Sequence, residues 1–120
     1  MILSQHFRSH EFDSADKPGT GDKMNLMFIS KLEQARTYAG VQFRITSGYR
    51  TKAQNQKAGG KPNSAHLTGH AADIFCIESN QRYHIIRGLL QAGFNRIGIG
   101  PSFVHVDDEP GKPDDVIWTY

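Results

Sequence analysis

The residues best suited to chemistry are two histidines and an aspartate within eight positions of each other, His66, His70 and Asp73. Imidazole nitrogens and carboxylate oxygens suit zinc, and a catalytic zinc site combines three protein ligands with one position open to water. Gly69 lies between the histidines and allows a tight bend into the segment that follows. One more ligand must come from elsewhere in the chain.

A second segment, Phe103-Val-His105-Val-Asp107, offers that ligand. Its alternation of apolar and polar residues is typical of a strand, in which side chains two positions apart share a face. His105 and Asp107 therefore lie on the same face as Phe103, and the two valines lie on the other. We expect His105 to point toward the cluster while the valines pack in the core.

Asp73 stands inside an apolar segment, residues 71–77, that has the composition of a buried strand. An ionised carboxylate in such a setting costs several kcal/mol unless it is paired with a charge or coordinates a metal. Two explanations remain open from the residues alone. Asp73 is either a metal ligand or the partner of a cation, for which Arg44 and Arg96 are the candidates.

The spacing of apolar residues predicts the elements that position these groups. Steps of three and four from Met24 to Tyr38, with Gly40 as a stop, predict a long helix, and a second one is expected from Ser79 to Gly93. A short helix is expected over residues 51–58, and strands over 41–46, 71–77, 95–99, 103–107 and, at an edge, 116–120. This order predicts one α+β domain over residues 1–120, with an antiparallel sheet flanked by helices.

Composition restricts the classes of function. The formal net charge is +2 and no run of lysines or arginines occurs, so we expect no nucleic-acid partner. Cys76 is the only cysteine, which excludes an intramolecular disulfide, and we expect it in the core. The N-terminus lacks the features of a signal peptide, and no segment has the length and apolarity of a membrane span. We expect a monomer.

The pattern Ser64-x-His66-x-x-Gly69-x-Ala71-x-Asp73, followed by a strand histidine, resembles the zinc D-Ala-D-Ala carboxypeptidase family. That family includes wall-cutting phage endolysins, and its metal site is similar to that of the hedgehog signalling domain. The resemblance implies a hedgehog/DD-peptidase-like fold in which His66, Asp73 and His105 bind one Zn²⁺ per chain. It also implies a D,D-carboxypeptidase or endopeptidase that hydrolyses peptidoglycan stem peptides with metal-activated water, acting at the bacterial cell wall as a phage or prophage lysin would.

The resemblance also suggests roles for Arg50 and Ser64. Arg50 follows Ser47-Gly-Tyr, where the family places an arginine at the active site, and its guanidinium could hold a substrate carboxylate or carbonyl by two parallel hydrogen bonds. The alternative is a surface arginine after a turn. Ser64 is a candidate for substrate binding, or a structural residue whose hydroxyl caps the loop.

The catalytic base is the point at which this chain departs from the family. Many members have an acidic residue a few positions before the last histidine, but residues 97–104 contain none. Asp107 is the nearest candidate, either as general base or as a hydrogen-bond partner of His105. The alternative function is a zinc-containing wall-recognition or phage structural domain without catalysis. We expect no metal role for His70, and Trp118 and Tyr120 either close the core or line a binding edge.

Overall fold

A five-stranded sheet dominates the computed structural model, which describes residues 1–120. The strands are β1 (Ile45–Ser47), β2 (Ala71–Phe75), β3 (Arg96–Ile99), β4 (Phe103–Asp107) and β5 (Val116–Thr119). Their order across the sheet is β1-β2-β4-β3-β5, and all neighbours are antiparallel except β3 and β5. That pair is parallel because β4 ends beside the first residue of β3. Residues 108–115 pass this same edge of the sheet, so β5 begins beside the start of β3 and runs in the same direction.

Three helices accompany the sheet: α1 (Leu26–Ala39), α2 (Lys52–Lys57) and α3 (Ser79–Gln91). The Asn25 side chain accepts a hydrogen bond from the Phe28 N–H at the start of α1, and Gly40 ends that helix in the left-handed conformation at φ 68°. None of the helices has the combination of length and apolarity that a membrane span needs. The fold is α+β, as the sequence predicts.

The core lies between one face of the sheet and the packed pair α1 and α3. The two helices approach closely at Gly88, where an added Cβ would lie 2.5 Å from the Ala35 carbonyl oxygen. Cys76 is buried in this core, as expected. The sheet contributes alternate residues to it, namely Ala72, Ile74, Ile97, Val104 and Val106.

The predicted strand over residues 41–46 is wrong over residues 41–44, since only Ile45–Ser47 pairs as a strand. Phe43 is buried in the core, which explains the alternating pattern without requiring a strand partner. The short β1 that remains lies at the edge of the sheet beside β2.

One row of residues crosses all five strands on the face opposite the core. Direct cross-strand pairs join Ser47 to Asp73, Asp73 to His105, His105 to Gly98, and Gly98 to Trp118. Opposed residues in a sheet point to the same side. The fold therefore places Asp73, His105 and Trp118 in one row on the same face of the sheet, with Gly98 between the last two.

Candidate metal centre

His66, Asp73 and His105 converge at the centre of this row. One ligand atom from each lies within 4.8 Å of the others. The His66 Nε2 atom is 3.3 Å from Asp73 Oδ1, and the His105 Nδ1 atom is 2.8 Å from the same oxygen. The two imidazole rings are 5.2 Å apart between centroids. The fold thus brings together the three residues that the sequence proposes as ligands.

His66 is held by a turn and by a backbone carbonyl. It lies in a 3-10 turn, Ala65–Thr68, which Ser64 caps by accepting a hydrogen bond from the His66 N–H at 3.2 Å. Gly69 closes the turn at φ 77°. The His66 Nδ1 atom donates to the Gly48 carbonyl oxygen at 2.7 Å, since a carbonyl can only accept. Nε2 therefore faces the Asp73 carboxylate.

His105 is held by a chain of charged groups. Its Nε2 atom contacts Asp107 Oδ2 at 2.7 Å, and Asp107 Oδ1 accepts from Arg96 Nε at 2.6 Å. The Nδ1 atom of His105 faces Asp73 Oδ1 at 2.8 Å, so both ring nitrogens of His105 face carboxylates, and Nδ1 is the nitrogen directed at the cluster. A carboxylate on the far nitrogen of a histidine is the usual support of a metal-ligating imidazole.

Asp73 uses its two oxygens differently. Oδ1 faces both histidines, and Oδ2 lies 3.4 Å from Arg50 Nη2. Burial by itself would raise the pKa of Asp73, but hydrogen bonds from His105 and His66 outweigh burial and hold that pKa well below its usual range. The cation beside Asp73 is therefore Arg50, and not Arg44 or Arg96.

Arg50 is fixed by three contacts. Nε donates to Ser47 Oγ at 3.0 Å and Nη1 to Asn55 Oδ1 at 3.2 Å, in addition to the contact of Nη2 with Asp73. Its side chain is 15% exposed, so the alternative of a surface arginine is wrong. A guanidinium has five N–H groups, so two remain for another partner.

The charges around His105 are strongly coupled. Burial would lower the pKa of His105, but the contacts with Asp107 and Asp73 outweigh it and raise that pKa above its usual value. Burial would likewise raise the pKa of Asp107, yet hydrogen bonds from His105 and Arg96 lower it. Both carboxylates beside His105 are therefore ionised at neutral pH.

The donor set fits zinc. With bonds of about 2.0–2.1 Å, the ligand atoms of a tetrahedral zinc site lie roughly 3.3 Å apart. The separation of His66 Nε2 and Asp73 Oδ1 is 3.3 Å, and that of His105 Nδ1 and the same oxygen is shorter, at 2.8 Å. Two imidazole nitrogens, each with its far nitrogen held by an acceptor, and one ionised carboxylate form a three-ligand set of the kind found in catalytic zinc sites.

The three residues lie at the bottom of a cleft of about 1060 Å³. Arg50 and Ser64 also line it, which places both predicted substrate-binding residues beside the cluster. Four basic and two acidic side chains line the cleft, and both acidic ones, Asp73 and Asp107, are paired. No carboxylate in the lining is without a partner.

The sequence offers Arg96 only as one of two candidate partners of Asp73, and the structure places it beside Asp107 instead. Arg96 donates to Asp107 and, through Nη1, to the Pro113 carbonyl oxygen at 2.5 Å, and its guanidinium lies over the Trp118 ring at 5.2 Å. The signal in the sequence that could have placed Arg96 in the site is its position two residues before Gly98 on β3, which puts both residues on the same face of the strand. His70 lies outside the cluster, where its Nδ1 contacts Asp108 Oδ1 at 2.8 Å.

Comparison with known proteins agrees with this geometry. A family model described as peptidase M15 matches residues 2–107, a range that includes all three residues of the cluster. A search of curated proteins found no match. Peptidases of this family are generally zinc-dependent. From the match over most of its length, the chain belongs to the peptidase M15 family of metallopeptidases.

Proposed function

We propose that this protein is a zinc-dependent peptidase that hydrolyses the stem peptides of bacterial peptidoglycan. The observation that supports this most directly is the cluster of His66, Asp73 and His105 at the bottom of an open cleft. Membership of a metallopeptidase family supports the reaction class, and the basic lining of the cleft suits peptides that bear carboxylates. We further propose that it acts as a monomer at the cell wall.

His66, Asp73 and His105 would hold the zinc ion. A zinc ion held there would supply Lewis-acid chemistry, namely polarisation of a scissile carbonyl and a pKa of about 7 for a coordinated water. The contribution of the protein is to fix the two imidazole rings through the Gly48 carbonyl and the Asp107 carboxylate. These two contacts fix the orientation of both rings.

Arg50 would position the substrate. Its contacts with Ser47, Asn55 and Asp73 fix the plane of the guanidinium beside the ligand carboxylate. The two N–H groups that remain can donate to a substrate carboxylate or carbonyl. Lysine has no planar fork, so Arg50→Lys should bind zinc normally but lose much of its activity on a soluble stem peptide.

Asp107 would orient His105 and would not accept the proton of the attacking water. Its Oδ2 is bound to His105 and its Oδ1 to Arg96, and its side chain is only 4% exposed. A general base must come within hydrogen-bond reach of the proton that it takes, directly or through one water. Both oxygens of Asp107 are occupied on the far side of the imidazole.

The cleft has no free carboxylate that could serve as a catalytic base, and this favours one alternative function, a wall-recognition domain. A wall-recognition domain that holds zinc without cleaving peptides would need no base, and the cleft lining offers no unpaired acidic group. The two functions differ in one measurable product, since only the peptidase releases peptide fragments from the wall.

The decisive experiment digests purified peptidoglycan with zinc-loaded protein and identifies released fragments by mass spectrometry. We expect shortened stem peptides with a new carboxyl terminus, and none with the His66→Ala variant at the same protein concentration. If the zinc-loaded wild type releases no fragment from walls of any cross-link type but still sediments with them, the recognition function replaces the peptidase.

A further inference from the structure

The Tyr120 side chain lies in the cleft, although the proposed function gives it no role. It is 65% exposed and lines the cleft together with Trp118, so both residues belong to a binding edge and not to the core. The Tyr120 backbone N–H donates to the Ile99 carbonyl oxygen at 3.1 Å, which continues the pairing of β5 with β3 beyond Thr119. The backbone from which the phenol projects is therefore fixed to the sheet.

The Tyr120 ring lies over the sheet with its hydroxyl end above Gly98. A Cβ at Gly98 would lie 2.8 Å from Tyr120 Cε2 and 2.7 Å from Trp118 Nε1, closer than real Cβ atoms come to their neighbours. Cε2 is bonded to the carbon that carries the hydroxyl, so the polar end of the ring occupies this place. Glycine at position 98 leaves the room that a side chain would fill.

Gly98 is the neighbour of a proposed metal ligand. It pairs directly with His105 between β3 and β4, and the Cβ positions of opposed residues are about 5 Å apart on the same face. The Phe103 ring lies against the Tyr120 ring, with their centroids 5.0 Å apart, and restrains its position. The hydroxyl end of Tyr120 is therefore held beside His105, on the face of the sheet that carries the metal cluster.

The electrostatics of the phenol agree with this position. Burial raises the pKa of Tyr120 above its usual value, and the negative charges of Asp73 and Asp107 act in the same direction. The Trp118 indole and the positive charge of Arg50 oppose them without reversing the shift. The phenol thus keeps its proton at neutral pH. An indole N–H can only donate, so Trp118 leaves the hydroxyl proton free for another partner.

The phenol supplies a hydrogen-bond donor where the cationic side chains are already bound. Arg96 is the cation nearest to His105 in the network, and it donates to Asp107 and to the Pro113 carbonyl oxygen. Arg50 lies on the other side of the cluster, beside the aspartate ligand. A substrate group held between the metal ligands and β5 therefore meets the phenol hydroxyl.

We infer that Tyr120 is a catalytic residue whose hydroxyl donates a hydrogen bond to the carbonyl oxygen of the scissile peptide bond as that oxygen gains negative charge. This inference rests on the proposed peptidase function. The hydroxyl keeps its proton throughout, so Tyr120 neither gains nor loses an atom when water is added across the bond. A donor directed at developing charge stabilises the transition state more than the bound substrate, and therefore raises kcat.

The test replaces Tyr120 by phenylalanine, which removes the hydroxyl and keeps the ring that packs against Phe103. On a soluble stem peptide we expect kcat of Tyr120→Phe to fall about 10²-fold, as for the loss of one oxyanion donor, with KM and zinc content unchanged. Tyr83→Phe is the matched control, because Tyr83 is 63% exposed and lies on α3, outside the cleft lining. It should keep the kinetics of the wild type.

Binding of a phosphinate peptide gives a second measurement that needs no turnover. A phosphinate resists cleavage and carries an anionic oxygen where the carbonyl oxygen would gain charge. We expect Tyr120→Phe to bind it roughly 10–100-fold more weakly than the wild type, which corresponds to one hydrogen bond to a charged group. The affinity of the metal-free protein for the cleavable peptide should be the same in both. Calorimetry measures both affinities, with Tyr83→Phe again as the control.

The outcomes separate this inference from the proposed function. If the wild type cleaves the peptide and Tyr120→Phe keeps either its kcat or its affinity for the phosphinate, the inference is wrong and the peptidase function stands. A rise in KM at unchanged kcat would make Tyr120 a substrate-binding residue only, which also overturns the inference. Failure of the peptidase function itself would be evident in the wild type alone, as the absence of any cleavage, and the catalytic role of Tyr120 would fail with it.

Discussion

The two histidines of the candidate metal centre are supported in different ways. The far nitrogen of His66 donates to the backbone carbonyl of Gly48, a contact that is set by the path of the chain. The far nitrogen of His105 contacts the Asp107 carboxylate, which is bound in turn by Arg96. Arg96 also binds the Pro113 carbonyl in the segment that leads to β5.

This difference separates a fixed ligand from an adjustable one. A backbone carbonyl carries no net charge and cannot be removed by changing a side chain. A carboxylate adds negative charge, makes the imidazole a stronger donor to a metal, and can be varied without disturbing the backbone. We therefore expect His105 to be the ligand through which the rest of the cleft influences metal binding.

The largest effect should come from removing a ligand of either kind. We expect the wild type to bind about one zinc per chain, and His66→Ala, Asp73→Ala and His105→Ala each to lose most of it, because three ligands leave no redundancy. Elemental analysis of the purified variants measures this. A variant with full zinc occupancy would remove its residue from the site and end the comparison between the two histidines.

A smaller effect should come from Asp107→Asn, which keeps the size of the side chain but removes its charge. We expect zinc affinity to fall by ~10–100-fold and activity to return when zinc is added in excess, as for the loss of a supporting partner. If Asp107 is instead the general base, the variant should keep its zinc and lose ~10²–10⁴-fold in turnover. One zinc titration with activity measured at each point separates the two roles.

The sequence predicts the ligands of the site better than their supports. His66 and Asp73 share a short motif, and His105 stands in a strand whose alternation fixes its face, so local patterns are enough to bring them together. The role of Asp107 depends on which nitrogen of His105 faces the cluster. The register of β2 with β4 pairs Asp73 with His105, but which nitrogen faces Asp73 is a matter of side-chain torsion that no sequence pattern fixes.

Contacts set by the order of the strands were beyond prediction. Arg96 is near Asp107 because β3 lies beside β4, and Trp118 reaches His105 because β5 returns parallel to β3 across Gly98. The sequence predicts each of these strands but not their neighbours. The sequence therefore offers Arg96 only as one of two candidate cations for Asp73, and it leaves Trp118 open between the core and a binding edge.

Arg96→Lys tests whether the support of His105 extends beyond Asp107. Lysine keeps the positive charge but cannot donate to Asp107 and to the Pro113 carbonyl with one planar group. We expect zinc affinity to fall roughly 3–10-fold, less than for a direct partner of the ligand. Calorimetric zinc titration measures this, with Arg44→Lys as a control, since Arg44 lies over the Phe75 ring away from the cluster. Wild-type affinity in Arg96→Lys would confine the support to Asp107.

His70→Ala should have the smallest effect. The contact of His70 with Asp108, at 2.8 Å, is nearly as short as the 2.7 Å contact of His105 with Asp107, but the His70 and Asp108 side chains are 21% and 23% exposed and His70 lies outside the cluster. An exposed pair contributes at most ~1 kcal/mol to the free energy of unfolding. We expect urea unfolding to show a loss of that size, and zinc affinity to stay within about twofold of the wild type, since no ligand is touched. If zinc affinity instead falls as far as in Asp107→Asn, the contact of His70 with Asp108 also supports metal binding. Support of the metal site would then extend to the segment that begins at Asp108.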